Sequence, residues 1–238
     1  MIGDIVPAGV AVADSFGDLP DARLFPEEEA GVRGAIDKRR REYATVRHLA
    51  RQAMKDLGIP SVAILSGVRR EPLWPSGVVG SMTHCAGYRA AALSFDAHHA
   101  SIGIDAEPHA PLPEGLLMKI AHPDEVPHLA QLTAARPEVH WDRLLFSAKE
   151  AVYKAWYPLA RRWLGFQEAR LAFDPASDGF TAELRQVGPV VAGVPLSRMA
   201  GRWHVRGGLV VAAVTISQGL GEPGVAERGR QRARLAGP

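Results

Sequence analysis

The 238-residue chain is 47% hydrophobic and 23% charged, ordinary proportions for a globular protein with a real core in one large or two modest domains. Its single cysteine, Cys85, excludes an intrachain disulfide, argues against a cysteine-based zinc site and points to a reducing, cytoplasmic setting. The formal charge is +2, and all of it sits in residues 219–238, which hold four arginines against two glutamates; the near-neutral body gives no reason to expect nucleic-acid binding.

No N-terminal secretion signal is evident, and the longest apolar run, residues 209–216, is too short to cross a membrane. Residues 1–25 read as an irregular lead-in with one strand near 6–12. Pro26-Glu27-Glu28-Glu29 opens a helix with acids in its first turn. Val32, Ile36, Tyr43, Val46, Ala50, Ala53 and Leu57 continue it at helical spacing until Gly58 and Pro60. The same helix carries Lys38, Arg39, Arg40, Arg41, Arg47, His48 and Arg51. These read either as a solvated basic face or as a phosphate clamp, for which the planar guanidinium is suited.

Residues 60–77 read as connecting structure, and 78–84 with 88–95 as a hairpin. His84, near the turn, is either a structural histidine or a donor to an anion. A strand follows at 101–107. Pro108, Pro111 and Pro113 then mark a boundary between an N-terminal half, 1–108, and a C-terminal half, 109–218; residues 219–238 are expected to be disordered. Residues 112–120 form a short amphipathic stretch and 121–137 helix and loop. The helix at 141–156 has a core stripe of Leu145, Ala148, Val152, Ala155 and Trp156, and Tyr157-Pro158 should end or kink it. Strands at 171–173, 180–184, 202–205 and 209–216 read as an antiparallel set, the last two joined by Arg206-Gly207-Gly208. A long helix followed by a small antiparallel sheet thus occurs twice, an α+β pattern.

In the strand at 101–107, Gly103, Asp105 and Glu107 share the face opposite Ile102 and Ile104. Adjacent carboxylates repel unless a cation lies between them, and a hard cation such as magnesium takes oxygen ligands of this kind. Gly103 would leave that face open for a ligand to approach the backbone. The alternative is a strand that runs out into solvent at Pro108. Glu150 supplies a third carboxylate on the later helix, in a stripe with Phe146 and Lys154, and with Lys149 beside it. Alone, Glu150 and Lys154 make a surface ion pair. Together, three carboxylates, two lysines and an arginine-rich helix suit a polyphosphate substrate with its metal. No Walker-type glycine loop is present.

Ile102-Gly103-Ile104-Asp105 with Glu107, and Phe146-Ser147-Ala148-Lys149-Glu150-Ala151-Val152-Tyr153-Lys154, resemble the two signature motifs of the phosphopantetheinyl transferases. Thr45-Val46-Arg47-His48, Gly80-Ser81-Met82-Thr83-His84-Cys85 and the run from Lys154 to Phe166 extend the likeness over residues 25–216. It is greatest to the long, surfactin-type class, in particular its actinobacterial members that activate carrier proteins. The resemblance implies two similar α/β halves in a pseudo-twofold arrangement with coenzyme A in the cleft between them. It implies transfer of the 4′-phosphopantetheine arm to a serine of an apo acyl or peptidyl carrier protein, releasing adenosine 3′,5′-bisphosphate.

By motif match, Asp105, Glu107 and Glu150 would hold Mg2+ (Mn2+ is a possible substitute), and Lys154 would contact the phosphates. Arg39, Arg47 and His84 match positions that bind the 3′-phosphate. Glu150, directly or through a water, would be the base, with Lys154 and Lys149 stabilising charge on the transferred phosphoryl. A monomer that contacts neither nucleic acid nor membrane is expected, with Arg161, Arg162 and residues 112–120 as candidate carrier-docking surface. One departure is visible: relatives carry a lysine where this chain reads Ser66 and Arg70-Glu71-Pro72, so a phosphate contact from that loop falls to Arg69 or Arg70. Another magnesium-dependent phosphate transfer, or a module that binds without turnover, are the rival readings of the same residues.

Overall fold

The computed structural model describes residues 1–219; the disorder expected of the C-terminal tail concerns residues that, from 220 onward, lie outside the described ones. The first strand, β1 (Ala11–Ser15), falls later than expected. Pro7 to Val10 instead form a turn, with Gly9 at φ 90°. The helix expected from Pro26 is two pieces, a 3-10 segment at Pro26–Val32 and then α1 (Asp37–Asp56). Gly34 separates them at φ 76°, a left-handed conformation that costs glycine nothing and interrupts a helix. At its far end α1 closes in a Schellman motif: Ile59 N–H reaches the Met54 carbonyl and Gly58 N–H that of Lys55, both at 2.9 Å.

Within the stretch read as connection, β2 (Leu65–Ser66) and β3 (Pro72–Leu73) pair as a small ribbon. The hairpin of β4 (Val78–Cys85) and β5 (Tyr88–Phe95) is as expected, and β1 joins the free edge of β5 to give a sheet of order β1-β5-β4. Next come β6 (His99–Pro108), α2 (Leu116–Ile120), α3 (Glu125–Ala135) and α4 (Trp141–Ala160). Pro158 lies in the last turn of α4 and does not stop it; the helix ends at Arg161, at φ 50°. The chain finishes with β7 (Ala169–Asp174), β8 (Gly179–Leu184), the ribbon β9 (Val190–Val191) and β10 (Val194–Pro195), β11 (Arg198–Arg206) and β12 (Leu209–Ser217).

The strand β6 does not extend the hairpin that precedes it. Its backbone pairs with β12, Asp105 opposite Ala212 and Glu107 opposite Val210, in an antiparallel sheet of order β6-β12-β11-β8-β7. By hydrogen bonding, therefore, the strand that closes residues 1–108 belongs to the sheet of the later residues.

Alternation along the strands stacks these elements in four layers. Leu49, Ala53 and Met54 of α1 pack on Ala91 and Leu93 of β5. The opposite face of β5, Tyr88, Ala90 and Ala92, meets Ile102, Ile104, Val211 and Ala213 of the second sheet. The far face of that sheet carries Val210, Ala212 and Val214 against Leu145, Ala148, Val152 and Trp156 of α4. Each of these large side chains, fully buried, contributes roughly 1.5–3 kcal/mol, which fixes α4 against β6 and positions everything it carries.

Candidate active site

The close contact of β6 and α4 is set at Gly103. A Cβ there would lie 1.9 Å from the Ala151 carbonyl oxygen and 2.6 Å from the Ala155 amide nitrogen. The face expected to lie open to a ligand is thus filled by helix backbone, because only glycine lets α4 approach so near. One step along that face, Asp105 is 5% exposed. Its Oδ1 accepts hydrogen bonds from Lys154 Nζ (2.7 Å) and the Thr83 hydroxyl (3.3 Å), and Lys154 also donates to the Ile104 carbonyl. Asp105 Oδ2 is buried and has no hydrogen-bond partner among the described residues, a costly state for half a carboxylate.

The other two carboxylates stand near but apart. Burial, and then the charge of Asp105, push the Glu107 carboxyl above its ordinary range, while Arg143 Nη1, 3.1 Å from Oε2, pulls it back. Burial likewise raises Glu150, with Lys154 opposing and Asp105 adding to the rise. Among the described residues, no three His, Cys, Asp or Glu side chains gather at metal-holding distance. Lys154 and Arg143 answer Asp105 and Glu107 instead. The residues nonetheless fit a hard cation in kind: the donors are all oxygen, and Asp105 keeps one buried oxygen unpaired.

Lys149 does not join this group. It is buried, with Nζ 2.8 Å from Glu125 Oε2 and donating to the carbonyls of Phe166 (2.6 Å) and Ala169 (2.9 Å). Three acceptors use its three protons, so in place of the part expected of it on the transferred phosphoryl it ties α4 to α3 and to the start of β7. Adjacent helix positions face about 100° apart, so a neighbour of Glu150 in sequence points elsewhere.

The basic end forms around α1. The Arg47 guanidinium is 3.2 Å above the Tyr43 ring and donates to the Ile64 carbonyl (2.8 Å) and the Ser66 hydroxyl (3.0 Å), with Glu28 4.0 Å away. Burial lowers it to about 10, still charged at neutral pH. Arg39 is more exposed and donates from Nη1 to His84 Nε2. Burial, then the charge of Arg39, lower His84 to about 4, leaving it neutral, with Nδ1 3.4 Å from Glu42 Oε2. Glu42 also lies 3.6 Å from Arg39 and 3.5 Å from Arg89. A cavity of about 430 Å³ runs from Arg39, Arg47 and His84 to Asp105 and Lys154. A second, of about 490 Å³, brings Glu150 and Lys154 to Arg69, Arg70 and Tyr157.

A model of the 4′-phosphopantetheinyl transferase N-terminal domain matches residues 27–94, and one of the 4′-phosphopantetheinyl transferase superfamily matches residues 101–192. Over 224 residues the chain is 51% identical to the 4′-phosphopantetheinyl transferase Svp of Streptomyces mobaraensis, an overlap of 93% of this chain and 91% of that protein. The chain belongs to the 4′-phosphopantetheinyl transferase family. It is also 43% identical to the transferase PptT of Mycobacterium tuberculosis, over 91% of this chain and 98% of that one, and 46% identical to Npt of Nocardia iowensis, over 90% and 99%. The protein is accordingly an enzyme of the transferase class.

Three residues of this transferase escaped the reading of its sequence: Thr83 holds Asp105, Arg143 holds Glu107, and Glu42 gathers Arg39, His84 and Arg89. Arg70, one of the two arginines expected of its loop, lines both cavities at φ 66°. Arg143 had a signal, seven residues before Glu150 and so on its helix face. Glu42 had a signal only for Arg39, three residues before it on the same helix; its other partners, His84 and Arg89, come from different strands. In the loop at 66–72, Glu71 pairs with Arg161 at 3.1 Å; Arg69 lines the second cavity and Arg70 lines both.

Proposed function

We propose that this transferase moves the 4′-phosphopantetheine arm of coenzyme A onto a serine hydroxyl of an apo acyl or peptidyl carrier protein. The bond formed joins the serine oxygen to the phosphorus that bears pantetheine; the bond broken joins that phosphorus to the bridging oxygen, and adenosine 3′,5′-bisphosphate leaves. One observation carries this reading: a single groove has basic residues for an isolated phosphate at one end and Lys154 with the Asp105 carboxylate at the other, and Lys154 also faces the second cavity with Glu150. That charge pattern suits a nucleotide with a lone 3′-phosphate and a pyrophosphate.

In this reading Arg39 and His84 meet the 3′-phosphate, with Arg47 adding charge from behind. Arg70 and Lys154 contact the pyrophosphate, and Lys154 offsets charge on the departing phosphate. Magnesium, or manganese, held by Asp105, Glu107 and Glu150, would draw further charge from the pyrophosphate. Glu150 takes the serine proton on its carboxylate; burial, which raises its proton affinity, makes it a better base. The two helix-and-sheet layers are read as halves of a pseudo-twofold, surfactin-type monomer, with coenzyme A in the cleft between them.

The test uses purified protein, coenzyme A, magnesium and an apo carrier, followed by intact mass. Gain of one arm on the carrier, lost when its serine is replaced by alanine, is the expected result. Cleavage of coenzyme A without labelled carrier would reject the proposal.

A further inference from the structure

The two sheets meet at the edges of β4 and β6, and they meet through side chains. Ile104 N–H donates to the Ser81 hydroxyl at 3.1 Å and Ala106 N–H to the Thr83 hydroxyl at 3.2 Å. Ser81 and Thr83 are two apart on β4, so they project to the same side, and both are 3% exposed. Buried edge amides need acceptors; here two hydroxyls take the place of a strand's carbonyls.

The two positions are not equivalent. Thr83 accepts from Ala106 and donates its own proton to Asp105 Oδ1, which Lys154 also occupies. Oδ1 thus has a hydroxyl and an ammonium, and Oδ2 has no partner among the described residues. The hydroxyl proton selects which carboxylate oxygen is tied and which is left.

We infer that Thr83 is a positioning residue: its hydroxyl locks the β6 edge to β4 and orients the Asp105 carboxylate so that Oδ2 stays free for a divalent cation. The inference rests on the reading of Asp105 as a metal carboxylate. Ser81, which makes the same kind of edge contact without touching Asp105, is the internal control.

The experiment titrates Mn2+ into the full chain with coenzyme A present, reading free Mn2+ by electron paramagnetic resonance and the melting temperature in parallel. Thr83→Val should weaken Mn2+ binding about tenfold or more, the usual consequence of removing a hydrogen bond behind a metal ligand. Thr83→Ser should restore it to near the wild-type value. Ser81→Ala should lower the melting temperature while leaving Mn2+ affinity unchanged. If Thr83→Val does not fold, Thr83→Ala makes the same comparison. Loss of binding in Asp105→Asn with wild-type affinity in the Thr83 variant would overturn the inference alone, as would equal weakening by Ser81→Ala. Unchanged binding in Asp105→Asn would overturn the reading of Asp105, and the inference with it.

Discussion

The basic and acidic ends of the candidate site are built on opposite principles. At the basic end each cation is already answered: Arg47 by a ring, a carbonyl, a hydroxyl and Glu28, and Arg39 and Arg89 by Glu42, which the neutral His84 also faces. At the acidic end the compensation is incomplete: Asp105 keeps an unpartnered oxygen beside Lys154, and burial pushes up Glu150, and Glu107 in spite of Arg143. A group that only has to bind can be held ready with its charge compensated. Groups that must accept a proton or a cation need unsatisfied capacity, and the close packing of α4 on β6 maintains it there.

The sharpest way to break this contrast is Glu150→Gln. Without a basic carboxylate, kcat should fall about 10²–10⁴-fold, and saturating magnesium or manganese should not restore it in single-turnover measurements. Asp105→Asn should instead be partly rescued by raised metal. Full rescue of Glu150→Gln by metal would leave it only a ligand.

Gly103→Ala attacks the packing that keeps the acidic end in place. Its new methyl meets backbone at 1.9 Å, so strand and helix must part, at about 3 kcal/mol or more by comparison with other overpacked cores. Urea denaturation measures the loss, and metal binding should fall with it.

Arg39→Ala probes the basic end. It should raise KM for coenzyme A about tenfold, in line with one charged hydrogen bond, while barely changing KM for the analogue without the 3′-phosphate. Arg47→Ala should in addition lower stability, because its donors also hold Ile64 and Ser66; equal effects on both substrates from Arg39→Ala would separate it from the 3′-phosphate.

The smallest effect is in pH dependence, where the two ends differ in sign. His84 is lowered from 6.5 to about 4, so the unfolded chain binds its proton first; its contribution is present above pH 6.5 and is lost as pH falls to about 4. The raised Glu107 and Glu150 bind protons more readily folded than unfolded, so their contribution is present at low pH and is lost as pH rises through their folded values. His84→Gln should therefore flatten the acid side of a stability profile taken by urea denaturation at successive pH values. The change is modest, since the His84 side chain is 35% exposed; an unchanged profile would show that the ring is not held neutral.

Much of this was legible in the chain itself. The hairpin at 78–95, the β11–β12 turn at Gly207-Gly208 and the core stripe of α4 followed from period-two and period-3.6 patterning and from glycine placement, which are local properties. So was the family, carried by two short motifs. Lys149 was misjudged because sequence neighbours on a helix face different ways, and Thr83 was passed over because partners from another strand leave no local trace.

The sequence by itself determined which side chains exist to do chemistry and the spacing that puts Glu150 and Lys154 on one helix face. Tertiary structure alone decided what surrounds them. It moved β6 into the second sheet, filled the space at Gly103 with helix backbone, tied Lys149 to Glu125 and left Asp105 one free oxygen. Each of those outcomes depends on distances between residues dozens of positions apart. Such distances are set by how buried faces fit together, and periodicity along the chain does not contain them.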